Sequence, residues 1–508
     1  MKNGKVRVLL ILPNNLGDVI MATPVLEGFK KKCPLSHITF FVETGFEGGI
    51  VLNPYIDEIF LFNRKDIKKS LVKNTIETGS LSLLKVINHL ASKKFDLLIN
   101  LSQHDYISIL IPLVKAKQIL GRHFLAEGND TIIDKWSLYL YSIPFAREFN
   151  SLHSIDVYRR ITQIQDYKCR CTIIISEDEK CQAVKTLNDL GIDITSHKII
   201  FFQPGAAFPS KRWPINHFIK LGKMLIDKGW YIILSGSPYE SKITIEIQKS
   251  LGKQCFNIAG RASFRQTIAM LIFAQICVTG DTALMHASAA LKVKTISLFG
   301  ATNPVETGPY GKEHIIISGR CDKKPCFKRE CESMQCMKTI TPEYLFKHIE
   351  KKTISQTPSC DTFITSFTAD NDFILKPINS KNNSYYNPTG AIITQKLFDN
   401  SISHCKAFLK NYNKIKTDSQ KFLFILNEME QVLSSFLMDS KNISLIHTFE
   451  NKKVDLGKIS GIGQFWNAYL NLQLNSIPIL NPLKAISSSI QVCQETKNRI
   501  LTALKAGG

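Results

Sequence analysis

Cys277-Val278-Thr279-Gly280-Asp281-Thr282-Ala283-Leu284-Met285-His286-Ala287-Ser288-Ala289-Ala290-Leu291 changes character twice. A short apolar run stops at Gly280-Asp281-Thr282, and an Ala-rich segment follows with Leu284, Ala287 and Leu291 at helical spacing, the pattern of a strand feeding a helix. The turn is then a helix N-terminus, whose free N–H groups and roughly half a positive charge make a ready phosphate site. Asp281 or Thr282 can cap the helix, Asp281 can instead face ribose hydroxyls, and His286, about one turn in, can reach a diphosphate. The competing reading is structural: Asp281 caps the helix and His286 packs.

The same pattern opens the chain. Residues 6–12 read as a strand, Pro13-Asn14-Asn15-Leu16-Gly17-Asp18 as a loop, and 19–32 as a helix, which puts Asp18 at the carboxyl end of a first strand, where open α/β sheets bind ligands. Alternation continues through strands at 37–42, 56–62, 96–101 and 118–121 and a helix at 81–93, a doubly wound pattern. A helical region near 151–165 and a polar, charged stretch near 176–189 follow. A second series then starts with a strand at 198–202 and the loop Gln203-Pro204-Gly205-Ala206-Ala207. It runs through helices at 215–228, 239–251 and 264–274 and strands at 231–235 and 295–299. A hinge near 168–178 makes this two sheets facing a cleft: residues 1–172 and 173–351. Pro358, Asp370, Asn371, Pro377, Asn382, Asn383, Asn387 and Pro388 mark 352–389 as a polar linker. Helical periodicity beyond it makes 390–508 a mostly helical extension, either a self-contained helical domain or an amphipathic surface for a membrane or a partner.

At 508 residues the chain is too long for one ordinary core. Its net charge of +21 favours an anionic partner, without choosing among nucleic acid, phosphate-rich small molecules and membrane surfaces. No segment reaches 18 uninterrupted apolar residues, and the apolar run after Lys5 and Arg7 stops at Pro13, so it reads as a strand and not as a signal peptide. The 13 cysteines, odd in number and mostly scattered, suggest reduced thiols. Cys321, Cys326, Cys331 and Cys336 recur evenly, whereas zinc knuckles begin with a closer pair.

The loop before Asp18 lacks both the G-x-G-x-x-G spacing of a dinucleotide site and the G-K-[ST] of a Walker loop. What remains is a glycine that permits close approach and a carboxylate that can serve as general base or cap the next helix. Lys211 and Arg212 flank a turn where they can clamp an anion, or they are solvated loop cations. Glu240, near a helix start, can hold a ribose or favour the helix dipole. There is no H-E-x-x-H, no carboxylate pair at metal spacing and no nucleophile elbow in the sequence.

These residues carry a resemblance. Leu12-Pro13-Asn14-Asn15-Leu16-Gly17-Asp18-Val19-Ile20-Met21-Ala22-Thr23-Pro24, with Asn53-Pro54-Tyr55-Ile56-Asp57 downstream, resembles the start of glycosyltransferase family 9, the lipopolysaccharide heptosyltransferases. Pro204-Gly205-Ala206, Lys211-Arg212-Trp213-Pro214, Gly280 to His286, Leu298-Phe299-Gly300-Ala301-Thr302-Asn303-Pro304 and Thr307-Gly308-Pro309-Tyr310-Gly311 follow in the family's order across roughly the first 350 residues. The evenly spaced cysteines, with Pro325-Cys326-Phe327-Lys328-Arg329, resemble a segment of the second type of heptosyltransferase.

The resemblance implies a GT-B architecture of two Rossmann-like domains facing a cleft. It also implies an inverting transfer, without metal or cofactor, of heptose from a nucleotide-heptose such as ADP-heptose to a hydroxyl of the lipopolysaccharide inner core. Asp18 matches the family's general base and Lys211 the lysine near the donor phosphates. Ala206, Gly280, Asp281, Thr282, Ala283 and His286 match the donor site, with Glu240 matching the ribose carboxylate. Arg64, Arg122 and His123, near strand ends of the first half, are expected acceptor contacts, with solvated surface positions as the alternative. The implied partners are a nucleotide sugar, an anionic glycolipid and a membrane surface met peripherally from the cytoplasmic side, with no nucleic acid and no identifiable protein partner. Ala283 stands where the family usually has glycine, and residues beyond about 352 have no counterpart in the resemblance. Another nucleotide-sugar transferase, a nucleotide-sugar epimerase and a non-catalytic scaffold acting through its tail remain as rivals.

Overall fold

The computed structural model describes residues 6–379 except 74–75, 125–129, 132–133, 146, 148–149, 151 and 352–358, and beyond 379 only isolated positions. The helical extension expected over 390–508 thus lies outside the described residues. In the first half, strands β1 (Arg7–Ile11), β2 (His37–Glu43), β3 (Glu58–Phe62), β4 (Leu97–Asn100) and β5 (Gln118–Leu120) pair in parallel in the order β3-β2-β1-β4-β5. Helices α1 (Leu16–Lys32), α2 (Arg64–Lys73), α3 (Ile76–Ser92) and α4 (Asp105–Leu110) connect them. A small ribbon, β6 (His123–Phe124) with β7 (Asp130–Thr131), leads to α5 (Lys135–Ser142) and α6 (Ser154–Ile161).

The second sheet is built from β8 (Lys198–Gln203), β9 (Trp230–Leu234), β10 (Cys255–Asn257), β11 (Ile276–Gly280), β12 (Lys294–Phe299) and β13 (Ile315–Gly319), parallel in the order β10-β9-β8-β11-β12-β13. Its helices are α7 (Glu177–Asp189), α8 (Ile215–Ile226), α9 (Ser241–Leu251), α10 (Phe264–Leu271), α11 (Ala283–Ala290), α12 (Pro304–Thr307), α13 (Gln335–Lys338) and α14 (Pro342–Ile349). Strand order reverses beside β1 in one sheet and beside β8 in the other. Each reversal opens a crevice at the carboxyl ends of the strands, the place where such sheets bind ligands. No helix among the described residues is long and apolar enough to cross a membrane.

Helix α1 explains how the halves meet. It is apolar nearly all round, with Val19, Ile20, Met21, Ala22, Val25, Leu26 and Phe29 buried, because it packs on α6 at one side and on α11 of the second half at the other. Burying each of Ile20, Leu26 and Phe29 stabilises the fold by about 1.5–3 kcal/mol. Asn15, at φ 61°, turns the chain so sharply that α1 starts at Leu16, earlier than the apolar pattern from Val19 suggests. Asp18 therefore sits inside the first turn and is not the N-cap. The charged stretch at 176–189 is helix α7, closed by a capping box in which the Ser176 side chain accepts from the Glu179 amide and Glu179 accepts from the Ser176 amide.

The polar linker expected over 352–389 is corrected by two strands, β14 (Cys360–Phe367) and β15 (Phe373–Asn379), which extend the second sheet antiparallel beyond β13. The breakers that suggest a linker have local uses here. Pro377 lies on the outermost strand, where a missing N–H is tolerated, and Asp370-Asn371 lies in the turn between β14 and β15.

That turn docks on the first half. Arg160 Nη1 and Nη2 donate to Asp372 Oδ1 and Oδ2 at 2.8 and 2.7 Å. The fully buried Arg159 donates to Asp156 Oδ1 at 3.0 Å and to the Asn371 carbonyl at 2.8 Å. Asp156, also fully buried, accepts from the Tyr310 hydroxyl at 2.7 Å and from the Phe373 amide at 2.8 Å. Removing one member of a buried ion pair strands the other charge away from water. Asp156→Ala is therefore expected to lower the free energy of unfolding by about 3–5 kcal/mol, read from the urea midpoint; a change within 0.5 kcal/mol would show that the cluster is not stabilising.

Candidate active site

A cavity of about 350 Å³ lies between the two strand-order reversals. Asn14, Asn15 and Asp18, after β1, and Gln103 and His104, after β4, face Ser210 and Lys211, after β8, and Asp281, after β11. Arg147, Tyr158, Thr302, Glu306, Phe327 and Lys328 complete much of the rim. The carboxyl ends of both central strands thus open into one space.

Asp18 Oδ2 accepts from Asn15 Nδ2 at 2.9 Å. Burial pushes its pKa up to about 6 and Asp281 adds to the rise, against Asn15, Lys211 and Arg147, which pull it down. Asp281 is the opposite case. Burial works to raise it, but the Lys211 ammonium, 2.7 Å from Oδ2, outweighs that, helped by His286 and Thr302, and the carboxyl stays below its usual range. Two acids of one cavity are thereby separated, one firmly ionised and one titrating near neutrality.

The helix after β11 starts without a side-chain cap. Thr282 is the N-cap residue, yet its hydroxyl pairs with Thr279 Oγ1 at 2.8 Å, and Asp281 is engaged by Lys211. The amides of the first turn, beginning at Ala283, keep the positive helix end available for an oxyanion. Burial drives His286 down to about 4, so it is neutral. Its ring packs against Gly17 of α1, where an added Cβ would lie 3.0 Å from His286 Cδ2 and 3.7 Å from the Ala283 Cα. Gly280 is equally constrained, since a Cβ there would lie 3.0 Å from the Lys211 carbonyl.

Other expected site residues lie outside the cavity. The Ala206 carbonyl is held by Arg212 Nε and Nη2 at 3.0 and 2.9 Å, so Arg212 braces the loop that carries Lys211. Glu240 closes a capping box with Ser237, accepting from its amide at 2.7 Å. It packs so closely over Gly205 that a Cβ there would be 2.1 Å from its Cδ. Arg64 pairs with Glu43 at 2.6 Å, and Tyr106 links Glu43 to Asn14 through contacts of 3.0 and 2.9 Å; Arg64 itself does not line the cavity. Arg122 pairs with Asp105 and stacks over the Tyr141 ring at 5.1 Å. His123 is buried, with Nδ1 donating to the Gly121 carbonyl at 3.0 Å.

Sequence reasoning misses Arg147, Glu306 and His104. Arg147 reaches across from the first half to Glu306 at 2.6 Å and lies 4.0 Å over the Phe327 ring. Among the described residues no group of three or more His, Cys, Asp and Glu side chains is placed to hold a metal ion, the evenly spaced cysteines included. Their loop is instead held by Lys324, whose buried Nζ donates to the carbonyls of Phe299 and Gly319 and to Ser318 Oγ at 3.0, 2.9 and 2.7 Å.

Two facing doubly wound domains with such a cleft are the GT-B architecture, and the comparisons supply the class, a glycosyltransferase. The sequence profile of glycosyltransferase family 9 (heptosyltransferase) matches residues 83–337. The chain is 25% identical over 355 residues to lipooligosaccharide heptosyltransferase 2 of Haemophilus influenzae, covering 68% of this chain and 98% of that one. In fold it resembles a family 9 glycosyltransferase of Veillonella parvula, with TM-score 0.57, 24% identity and coverage of 69% and 98% of the two chains. It also resembles the ADP-heptose lipopolysaccharide heptosyltransferase II of Escherichia coli, with TM-score 0.52, 19% identity and coverage of 68% and 98%. The chain belongs to glycosyltransferase family 9.

The raised pKa of Asp18 has a measurable cost in stability. The folded chain holds this proton up to about pH 6 while the unfolded chain releases it near 3.8, so stability falls as pH rises between these values. With one unit worth about 1.4 kcal/mol and some relief from water at the cavity mouth, Asp18→Asn should stabilise the chain by about 1–2 kcal/mol at pH 7.5 and by almost nothing at pH 4. Urea titrations at the two pH values check it; equal midpoint shifts at both would contradict the assignment.

Proposed function

We propose that this chain transfers a heptose from a nucleotide-heptose, ADP-heptose, to a hydroxyl of the lipopolysaccharide inner core, with inversion, without a metal ion, and with Asp18 as general base. The observation that carries this reading is the placement of Asp18 and the Lys211–Asp281 pair in one cavity. The relatives' names suggest the sugar and the glycolipid, and the side chains lining the cavity support the chemistry. In this reading the first half presents the acceptor and residues 173–351 hold the donor, at the cytoplasmic face of the membrane.

With its pKa near 6, Asp18 is mostly ionised at pH 7.5 and remains more basic than an ordinary aspartate. An acceptor hydroxyl hydrogen-bonded to it attacks the anomeric carbon from the face opposite the nucleotide. One displacement then inverts the centre. Because an alcohol is far more basic than a carboxylate, the proton moves late, as the C–O bond forms. The departing diphosphate gathers charge, which Lys211 and the first amides of α11 are placed to stabilise, and Asp281 fixes the Lys211 ammonium for that task. Arg147 and Lys328, on the rim, offer further cations to an anionic acceptor.

Asp18→Asn should lower kcat by about 10²- to 10⁴-fold with the fold intact, and the wild-type kcat/KM should climb with pH through a limb near 6 that the variant lacks. The assay is mass-spectrometric detection of heptosylated inner core from ADP-heptose and a heptose-deficient acceptor, with EDTA present throughout. Near wild-type transfer by the variant would remove Asp18 from its role. Product formed from another sugar nucleotide and none from ADP-heptose would change the donor, and an isomerised free sugar nucleotide formed without acceptor would favour the epimerase.

A further inference from the structure

The surplus of positive charge is not explained by the catalytic cavity, where Arg147, Lys211 and Lys328 are balanced by Asp18, Asp281 and Glu306. A second cavity of about 470 Å³ lies at the seam between the halves. Its walls are the connector between α6 and α7 at 168–171, the end of α11 with Lys292, the segment 310–314, and the β14–β15 turn with Phe367, Thr368 and Asn371. Lys168, Arg170, Lys292 and Lys312 line it, and no Asp or Glu does among the described residues.

We propose that this seam cavity is a binding site for a phosphate-bearing anion. Four exposed cations from three separate segments line it, and the other lining groups add no opposing charge. Cys169 and Cys171 are thiols whose burial pushes them up to about 11 and about 12, so they stay neutral. The carbonyls at the end of α11, which would repel an anion, are mostly occupied: Ala287, Ser288 and Ala289 accept from the amides of Leu291, Val293 and Lys292 at 2.9, 2.9 and 3.1 Å. The buried His314 adds a donor. Its Nδ1 accepts from the Thr295 amide at 3.3 Å, which leaves the hydrogen of the neutral ring on Nε2, in a residue that lines the cavity. Cation-to-phosphate hydrogen bonds of this kind are charge-assisted and among the stronger ones. Tyr310, Phe367 and the alanines at 289–290 give the ligand's non-ionic part an apolar wall.

A ligand here would touch the interdomain connector and the far end of α11, the helix whose near end carries Gly280, Asp281 and Thr282. The site is therefore separate from the donor cleft but joined to it by one rigid element. The phosphate can come from a soluble phosphoester or from a phosphorylated lipid headgroup, and the two are told apart by the probe.

The test uses the full chain carrying Lys211→Ala, which weakens anion binding in the cleft. Inorganic pyrophosphate is titrated calorimetrically, and phosphatidylcholine vesicles with and without phosphatidic acid are tested by co-sedimentation. Binding of either probe that falls about tenfold or more on adding Arg170→Glu with Lys312→Glu, with unchanged circular dichroism, is expected. Pyrophosphate alone identifies a soluble ligand, and vesicles alone a headgroup. If the double reversal does not fold, Arg170→Gln with Lys312→Gln takes its place with the same expected direction. Failure of both probes to bind, or binding that the seam substitutions leave unchanged, overturns the proposal.

Discussion

Two helix starts, one from each half, come within van der Waals reach of each other, and the rest of the site follows from that approach. Gly17 in the first turn of α1 lies against His286 of α11, so close that even a methyl group would press on the imidazole. The contact puts Asp18 and Asp281 into a single cavity, although they stand at the ends of strands in different sheets. Two carboxylates drawn together in a partly dry space cannot both ionise freely. Lys211 settles which one does.

This division suits a reaction with two electrostatic demands. In the proposed transfer the leaving diphosphate needs fixed positive charge, and the features that match this need are an ammonium oriented by a carboxylate and a helix start with no side-chain cap. An incoming hydroxyl needs a base that is ionised at working pH yet not as weak as a solvated aspartate. Burial of Asp18, with the nearby Asp281 charge added to it, supplies the second. The cavity is left close to neutral, so the chain's large excess of lysine and arginine lies elsewhere, and the seam proposed above as an anion site is lined by four of those cations.

Much of this is legible in the sequence because the strand-to-helix units at 6–32 and 277–291 announce themselves by apolar runs broken at Gly-Asp. Parallel sheets buried on both faces leave few other readings of such runs. Arg147 is illegible because it follows Ile143-Pro144-Phe145 in a stretch with no periodicity, and only the tertiary fold brings it to Glu306. Helix α7 carried an S-x-x-E start signal at Ser176 and Glu179 that its density of charge obscured. The β14–β15 pair was hidden by its own breakers, since Asp, Asn and Pro mark a hairpin turn and an edge strand as readily as a linker. Ala206, Glu240, Arg122 and His123 each also have a structural occupation, of which only that of Glu240, a capping box with Ser237, is readable as an S-x-x-E pattern.

The docking of the β14–β15 turn on α6 also sets an order of events during synthesis. Asp156 waits for the Phe373 amide, which follows it by 217 residues. At about 5–20 residues per second that is a delay of roughly 10–40 s. For that interval α6 presents Asp156, Arg159 and Arg160 before the contacts from Asn371, Asp372 and Phe373 exist, while Arg159 and Asp156 pair with each other. A first half that emerges with ions where its neighbour will dock is less prone to stick to other nascent chains than one that emerges with leucines.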